Sequence, residues 1–341
     1  MASFDPAAFP VPAPADPSDE VVREFGPLLR IYKSGRIERP LVPPPVAPGR
    51  DPATGVESKD VPLGVDGACS VRLYLPPVAA DSTAKLPVVV YVHGGGFVAE
   101  SAASPHYHRF LNALASSCPA LGVSVEYRLA PEHPLPAGYD DCLAALKWAL
   151  SAAADADPWL AAHGDLSRVF LAGDSAGANI CHHLAMHPDI IQSAGGAKLK
   201  GAVMIHPWFW GSEAVGEEPR EPAFRAMGAR LWFFSCPGAT SMDDPRMNPM
   251  APGAPPLGKL ACERVLVCAA EGDFLRWRGR AYAEAVAKAR GCALGGENNA
   301  GGGGVELMET AGEGHVFYLF KPGCDKAKEM LDKIVAFINA P

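Results

Sequence analysis

Arg168-Val169-Phe170-Leu171-Ala172-Gly173-Asp174-Ser175-Ala176-Gly177 is an apolar run of strand length that ends in a Gly-x-Ser-x-Gly pattern and passes straight into the helical sequence Ala178-Asn179-Ile180-Cys181-His182-His183-Leu184. A serine on so tight a strand-to-helix turn is pushed into an unfavourable backbone conformation, and the small residues Gly173 and Gly177 let neighbouring chain pass close. Its hydroxyl then stands above the sheet edge. The helix that follows turns unpaired N–H groups toward the same point, which favours negative charge developing there. The same pattern also arises as a plain small-residue turn, so the surrounding chain decides its meaning.

Working outward, strand-like and helix-like segments alternate. Val61 to Leu75 reads as a β-hairpin, with Ser70 to Leu75 alternating in period two, and Pro87-Val88-Val89-Val90-Tyr91-Val92 is the continuous apolar run of a strand covered on both faces. Ser104 and Pro105 suit the N-cap and first position of a helix over Tyr107–Ser117. A strand at Gly122–Tyr127, a proline-punctuated loop and a helix over Tyr139–Ala152 precede the serine turn. After it come strands at Gly201–His206, Arg264–Ala270 and Val305–Glu309, and helices at Ala223–Phe234, Trp277–Ala289 and Cys324–Ile338. Such a βα repeat with right-handed crossovers gives a mainly parallel sheet, with functional loops at the strand C-termini. The glycine-rich run Gly291–Gly304 has no Gly-Lys-Ser/Thr after it and reads as a flexible surface loop, not a phosphate cradle. Residues 1 to 50 hold eleven prolines, which forbid long regular structure, yet Val22, Phe25, Leu28, Leu29 and Ile31 are too apolar for a solvated tail. This arm is expected to pack onto the rest.

The 341 residues, 48% hydrophobic, can bury a sizeable core. A net charge of −8 leaves no basic patch for nucleic acid or anionic lipid. The nine scattered cysteines, with no Cys-x-x-Cys pair, fit buried free thiols in a reducing compartment, and no run reaches the length of a membrane span. The first residues lack the basic start and apolar core of a secretory signal, so a soluble intracellular protein is expected.

A serine nucleophile needs a base and an orienter, which in this kind of fold follow it in the order acid, then histidine. Asp273 lies just past the strand Arg264–Ala270 and His315 just past the last strand. Asp243 and Asp244 sit in a proline-rich connection and Glu271 lies closer to its strand, so Asp273 is the assigned acid. His93-Gly94-Gly95-Gly96-Phe97, after the strand ending at Val92, aims backbone N–H groups into a cavity. The amides of Gly95, Gly96 and Ala176 are the candidate oxyanion donors, with His93 and Asp174 as supports behind them. Phe97, Trp208, Phe209 and Val316 are the candidates for touching substrate, with core packing the alternative for Trp208 to Trp210. His183 and His187 are spaced as a metal pair but lack the glutamate and third ligand a site would need, so no metal is expected.

Together these motifs resemble the hormone-sensitive-lipase group of α/β-hydrolases, and within it the plant carboxylesterases that include gibberellin receptors and 2-hydroxyisoflavanone dehydratases. The likeness runs from Tyr32-Lys33-Ser34-Gly35-Arg36 through His93-Gly94-Gly95-Gly96, Tyr127-Arg128-Leu129-Ala130-Pro131-Glu132 and Gly173-Asp174-Ser175-Ala176-Gly177 to His315. It implies an α/β fold with an eight-stranded, mostly parallel sheet, a catalytic domain over residues 51–341, and an arm over residues 1–50 that forms part of a cap. It also implies a cytosolic, and also nuclear, location and no cofactor. The receptors lose the base histidine, and some of the dehydratases carry threonine as nucleophile; this chain keeps His315 and Ser175. The expectation is a serine carboxylesterase acting through an acyl-enzyme on small, fairly apolar esters, as monomer or homodimer, with a hormone-like receptor or a dehydratase as the alternatives.

Overall fold

The computed structural model describes residues 18–63, 69–77, 84–151, 157–192, 199–295 and 304–340. Expectations for residues 1–17 of the arm, for Ala152 and for most of the glycine-rich run, 296–303, lie outside the described residues.

The chain opens with β1 (Val21–Phe25), β2 (Leu29–Tyr32) and β3 (Ile37–Glu38), which pair antiparallel into a small sheet of their own. Nothing in the sequence pattern signals this sheet. Its strands are short enough to fit between Pro27, which lies in the turn after β1, and Pro40, just past β3, so proline removes no ladder hydrogen bond. Leu29 is fully buried against Val98, Ala99 and Ala130. Arg39 Nε donates to Val98 O at 2.5 Å, and the same guanidinium pairs with Glu132 at 2.7 Å. The arm is thus joined to the loop after His93 and to the Tyr127–Glu132 motif.

The main sheet contains β4 (Glu57–Leu63), β5 (Cys69–Leu75), β6 (Leu86–Val92), β7 (Leu121–Glu126), β8 (Gly164–Asp174), β9 (Leu199–Ile205), β10 (Cys262–Ala270) and β11 (Val305–Thr310). Their spatial order is β4-β5-β7-β6-β8-β9-β10-β11; β4, β5 and β7 pair antiparallel and every other neighbour pair is parallel. This is the eight-stranded, mostly parallel sheet expected above. Val88, Val90 and Val92 of β6 face one layer, and Val89 and Tyr91 the other, all with no exposed surface. Burial of each such side chain favours the fold by about 1.5–3 kcal/mol relative to exposure.

The helices α1 (Pro105–Ser117), α2 (Ala137–Leu150), α3 (Pro158–His163), α4 (Ala176–Ala185), α5 (Pro188–Ile191), α6 (Pro222–Ser235), α7 (Arg276–Arg290), α8 (Phe317–Phe320) and α9 (Asp325–Asn339) fill the connections. One face of the sheet takes Cys142 and Leu146 of α2, Ile180 and Leu184 of α4, and Tyr282 and Val286 of α7. The other takes Leu111 and Leu114 of α1 and Met330, Ile334 and Ile338 of α9. Three of the helices, α3, α5 and α8, have no counterpart in the sequence reading, because four to six residues are too few to show a helical period. Ser104 occupies the N-cap of α1 with Pro105 behind it, but its side chain makes no capping bond. All nine cysteines are free thiols and seven are buried.

Candidate active site

Parallel strands bring their C-terminal ends to one edge, and the loops that leave β6, β8, β9, β10 and β11 carry His93 to Gly96, Ser175, His206, Asp273 and His315 respectively. Ser175 sits at φ 53°, ψ −117°, the strained left-handed conformation that such a turn imposes. Its N–H donates to Ile205 O at 2.9 Å and its carbonyl accepts from Trp208 N–H at 3.0 Å, so β9 and the chain after it hold the turn from the side. The turn also depends on close backbone contact: a Cβ at Gly177 would stand 2.0 Å from Val92 O.

The three residues chosen for a triad come together. His315 Nε2 lies 2.9 Å from Ser175 Oγ, placed to accept its proton, and His315 Nδ1 donates to Asp273 Oδ2 at 2.7 Å. Leu275 N–H donates to the other Asp273 oxygen at 2.9 Å. Burial acts against charge on His315, but the charge of Asp273 and its hydrogen bond outweigh it and raise the imidazole above its usual pKa. Burial likewise acts to push Asp273 up, and the nearby His315 reverses this, so the carboxyl falls below its usual range. His206 is a buried neutral imidazole, taken down to about 4 by burial, whose Nδ1 accepts from Val316 N–H at 2.8 Å. It fixes the backbone just past the base. Donor atoms of His206, Asp273 and His315 lie within 4.8 Å of one another, a spacing a metal could use. Asp273 and His315 already satisfy each other, however, and His206 Nδ1 is taken by Val316. The imagined pair His183 and His187 parts, with His183 Nε2 on Arg246 O and His187 Nδ1 on Asp189 N–H.

The oxyanion amides are aimed by their own peptide planes. Gly94 O accepts from His93 Nδ1 at 2.9 Å, with the Tyr127 hydroxyl, which donates to His93 O at 2.9 Å, 3.2 Å away, and Gly95 O accepts from Val98 and Ala99 N–H at 3.1 and 3.0 Å. In a trans peptide the following N–H points the opposite way, so pinning these two carbonyls turns the Gly95 and Gly96 N–H groups outward from the loop. Among the described residues no acceptor takes the N–H of Gly95, Gly96 or Ala176. Gly95 has φ 95°, and a Cβ there would stand 2.1 Å from Ala99 O, so only glycine makes this bend.

Asp174 anchors the loop from behind. Its Oδ1 accepts from Tyr91 OH at 2.8 Å and Gly94 N–H at 3.1 Å, and its Oδ2 accepts from Tyr107 OH at 2.9 Å. Burial pushes this carboxyl up to about 6, against the hydrogen bonds that lower it. His93 stacks on Tyr127 with ring centroids 4.3 Å apart.

The walls differ in part from the expectation. A Cβ on Gly96 would meet Leu231 of α6 at 2.9 Å, Leu28 of the arm at 3.4 Å and Trp208 at 3.8 Å, which makes the oxyanion side apolar. On the histidine side the Phe274 ring lies 6.0 Å from His315 and 6.1 Å from Phe224. Val316 is half-buried beside His315. Phe97 and Phe209 are almost fully buried, each packed among other side chains. Phe97 packs in the core on Trp208, Tyr139 and Trp232, and Phe209 is sealed against Tyr282 and His182. Consecutive residues past a strand end point in different directions, and the sequence does not say which one faces the cavity. Leu28 was legible as a packing residue of the arm but not as a wall of the site, and Leu231, Phe224, Phe274 and Tyr107 carried no sequence signal, because each reaches the site from an element whose docking is a tertiary fact.

Residues 89–319 match the family described as having the alpha/beta hydrolase fold. The chain belongs to that family. It is 44% identical over 339 residues to tuliposide A-converting enzyme 2, chloroplastic, of Tulipa gesneriana, covering 99% of this chain and 83% of that one. Probable carboxylesterase 2 of Arabidopsis thaliana and 2-hydroxyisoflavanone dehydratase of Glycyrrhiza echinata are each 42% identical, each match covering 94% of this chain and 97% of the relative. Among solved structures, the thermophilic carboxylesterase EstE1 from a metagenomic library superposes with a TM-score of 0.63 at 28% identity, over 83% of this chain and 88% of that one. The chain is therefore an enzyme, a carboxylesterase-like α/β-hydrolase.

The expected cytosolic or nuclear location is overturned. The tulip enzymes, similar along nearly the whole chain, are named chloroplastic and amyloplastic, which points to a plastid. A core of free thiols indicates a reducing compartment without saying which. Among the described residues no helix is long and apolar enough to cross a membrane.

Proposed function

We propose that Ser175, His315 and Asp273 form the catalytic triad of a serine carboxylesterase that acts on small, fairly apolar esters. The observation that carries this reading is the unbroken line Ser175 Oγ, His315 Nε2, His315 Nδ1, Asp273 Oδ2, with steps of 2.9 and 2.7 Å outside the ring. His315 takes the Ser175 proton as Oγ attacks the ester carbonyl, and the N–H groups of Gly95, Gly96 and Ala176 hold the resulting oxyanion. Collapse expels the alkoxide, which leaves with the proton from His315. Water, deprotonated by the same imidazole, then releases the acid from Ser175. Asp273 keeps the tautomer that makes Nε2 the acceptor.

Leu28, Leu231 and Trp208 beside Gly96, with Phe274 beside His315 and Phe224 behind Phe274, favour an apolar ester of limited size. The described part of the 1–50 arm supplies Leu28, which supports its reading as part of a cap. A chromogenic short-acyl ester tests the proposal: hydrolysis should be prompt, and Ser175→Ala should reduce turnover by at least about 10,000-fold. Retention of the wild-type rate by that variant would refute the mechanism. The likeness to tuliposide A-converting enzymes makes a tuliposide a natural member of the ester panel. The likeness to a 2-hydroxyisoflavanone dehydratase keeps a second reading, in which His315 serves an elimination. Assaying 2-hydroxyisoflavanone beside the esters separates the two.

A further inference from the structure

Tyr318 joins the rear of the site to a second cavity that ester hydrolysis does not use. Its hydroxyl lies 3.0 Å from that of Tyr91, and since Tyr91 donates to Asp174, the Tyr318 hydroxyl is the donor of this pair. On its other side Tyr318 borders a cleft of about 240 Å³ between α1 and the start of α9. Phe110, Ala113 and Leu331 supply its apolar surface, and Arg109 and Lys328 its cationic rim.

The charges of the cleft select a ligand. Among the described residues Arg109 meets no carboxylate, while Lys328 has only the exposed Asp332 at 3.3 Å, a pair worth little in water. Asp325 is the one acid of the lining, and His106 is held neutral by burial and by the neighbouring Arg109. Among the lining residues two cations stand against one carboxylate, an excess of one positive charge, with Asp332 outside the lining beside Lys328. The volume of about 240 Å³ admits about eight non-hydrogen atoms, allowing roughly 30 Å³ for each.

We propose that this cleft binds a small monocarboxylate with an aryl or short alkyl body, its carboxylate between Arg109 and Lys328 and its body against Phe110, Ala113 and Leu331. Occupancy bears on the active site by two routes. The Tyr318 hydroxyl leads through Tyr91 to Asp174, which holds the Gly94 N–H, and α8 begins two residues after His315. Ester hydrolysis releases a carboxylic acid, so a ligand of this class would slow the enzyme that makes it. That effect on turnover rests on the esterase reading; the binding itself does not.

Calorimetric titration of the full chain with benzoate at low salt tests the binding. One saturable site with a Kd on the order of 1 mM is expected, with benzamide at least about tenfold weaker. Lys328→Glu, on the exposed rim, should weaken benzoate about tenfold, and Ala113→Phe should abolish binding by filling the cleft, both melting as wild type. Leu231→Trp, beside Gly96 on the far side of the sheet edge from the cleft lining, should leave the affinity unchanged. Absence of saturation up to about 20 mM, or sensitivity to Leu231→Trp with none to Lys328→Glu, would overturn the site. In turnover, benzoate should lower kcat without changing KM, an effect lost in Lys328→Glu. A purely competitive rise in KM would overturn the coupling. Should no ester be hydrolysed, the esterase reading fails while the titration still decides the cleft.

Discussion

Two buried aspartates flank the serine turn, one on the histidine side and one behind the oxyanion loop, and they respond to burial in opposite ways. Asp273 faces an imidazole that can carry charge, and its pKa falls. Asp174 faces two phenols and an amide, neutral donors all, and its pKa rises to about 6. The same side chain at similar burial thus does two jobs, and the partner decides which: a hydrogen bond to a chargeable group repays desolvation, while hydrogen bonds to neutral groups repay it only in part. On the proposed mechanism, the histidine side holds charge for proton transfer. The oxyanion side holds shape.

If that division is correct, substitutions on the two sides should fail differently. Asp273→Asn should cost about 10,000-fold in kcat by releasing the wrong imidazole tautomer, with little change in KM or melting temperature. Asp174→Asn should cost about 100-fold in kcat, the size of a misplaced oxyanion donor. Equal losses at the two positions, read by steady-state kinetics on one ester, would erase the distinction.

Titration sharpens it. Because the His315 pKa is raised, kcat/KM should fall as pH drops through a midpoint above 6.5, and a profile flat down to about pH 4 would exclude His315 as the base. For Asp174 the folded pKa of about 6 lies above its ordinary 3.8, so the folded chain holds the proton more tightly than the unfolded one. The stability this gives, about 3 kcal/mol, is complete below 3.8 and is lost as pH rises through 6. Asp174→Asn should flatten that part of the stability curve in denaturant melts between about pH 4 and 7. Smallest of all, Leu28→Ala and Leu231→Ala should each shift preference toward longer acyl chains by about two- to tenfold in kcat/KM, as the carbons each truncation removes open room in the wall. No shift in an acyl-length series would remove both residues from the pocket.

The two sides were also unequally legible in the sequence. Gly173 to Gly177 and His93 to Gly96 are local motifs, each readable in a few residues, and Asp273 and His315 followed from their places at strand ends in a βα repeat. What the sequence concealed is what holds these groups. Tyr91 and Tyr107 read as apolar members of a strand and a helix, and it takes the register of β6 against β8, which sets Tyr91 beside Ala172, and the docking of α1 to bring their hydroxyls to Asp174. The arm hid its three short strands among prolines, and with them Leu28. Phe97 and Phe209 stood beside the right motifs but point into the core, since side-chain direction in irregular chain is set by packing rather than by period.

The most direct test of the central claim is to quench wild-type enzyme during turnover of a short-acyl aryl ester and map the acyl group by peptide mass spectrometry. The acyl mass should fall on the peptide carrying Ser175, vanish in Ser175→Ala, and accumulate far more slowly in His315→Ala. A label on any other residue, or undiminished labelling without His315, would contradict the account.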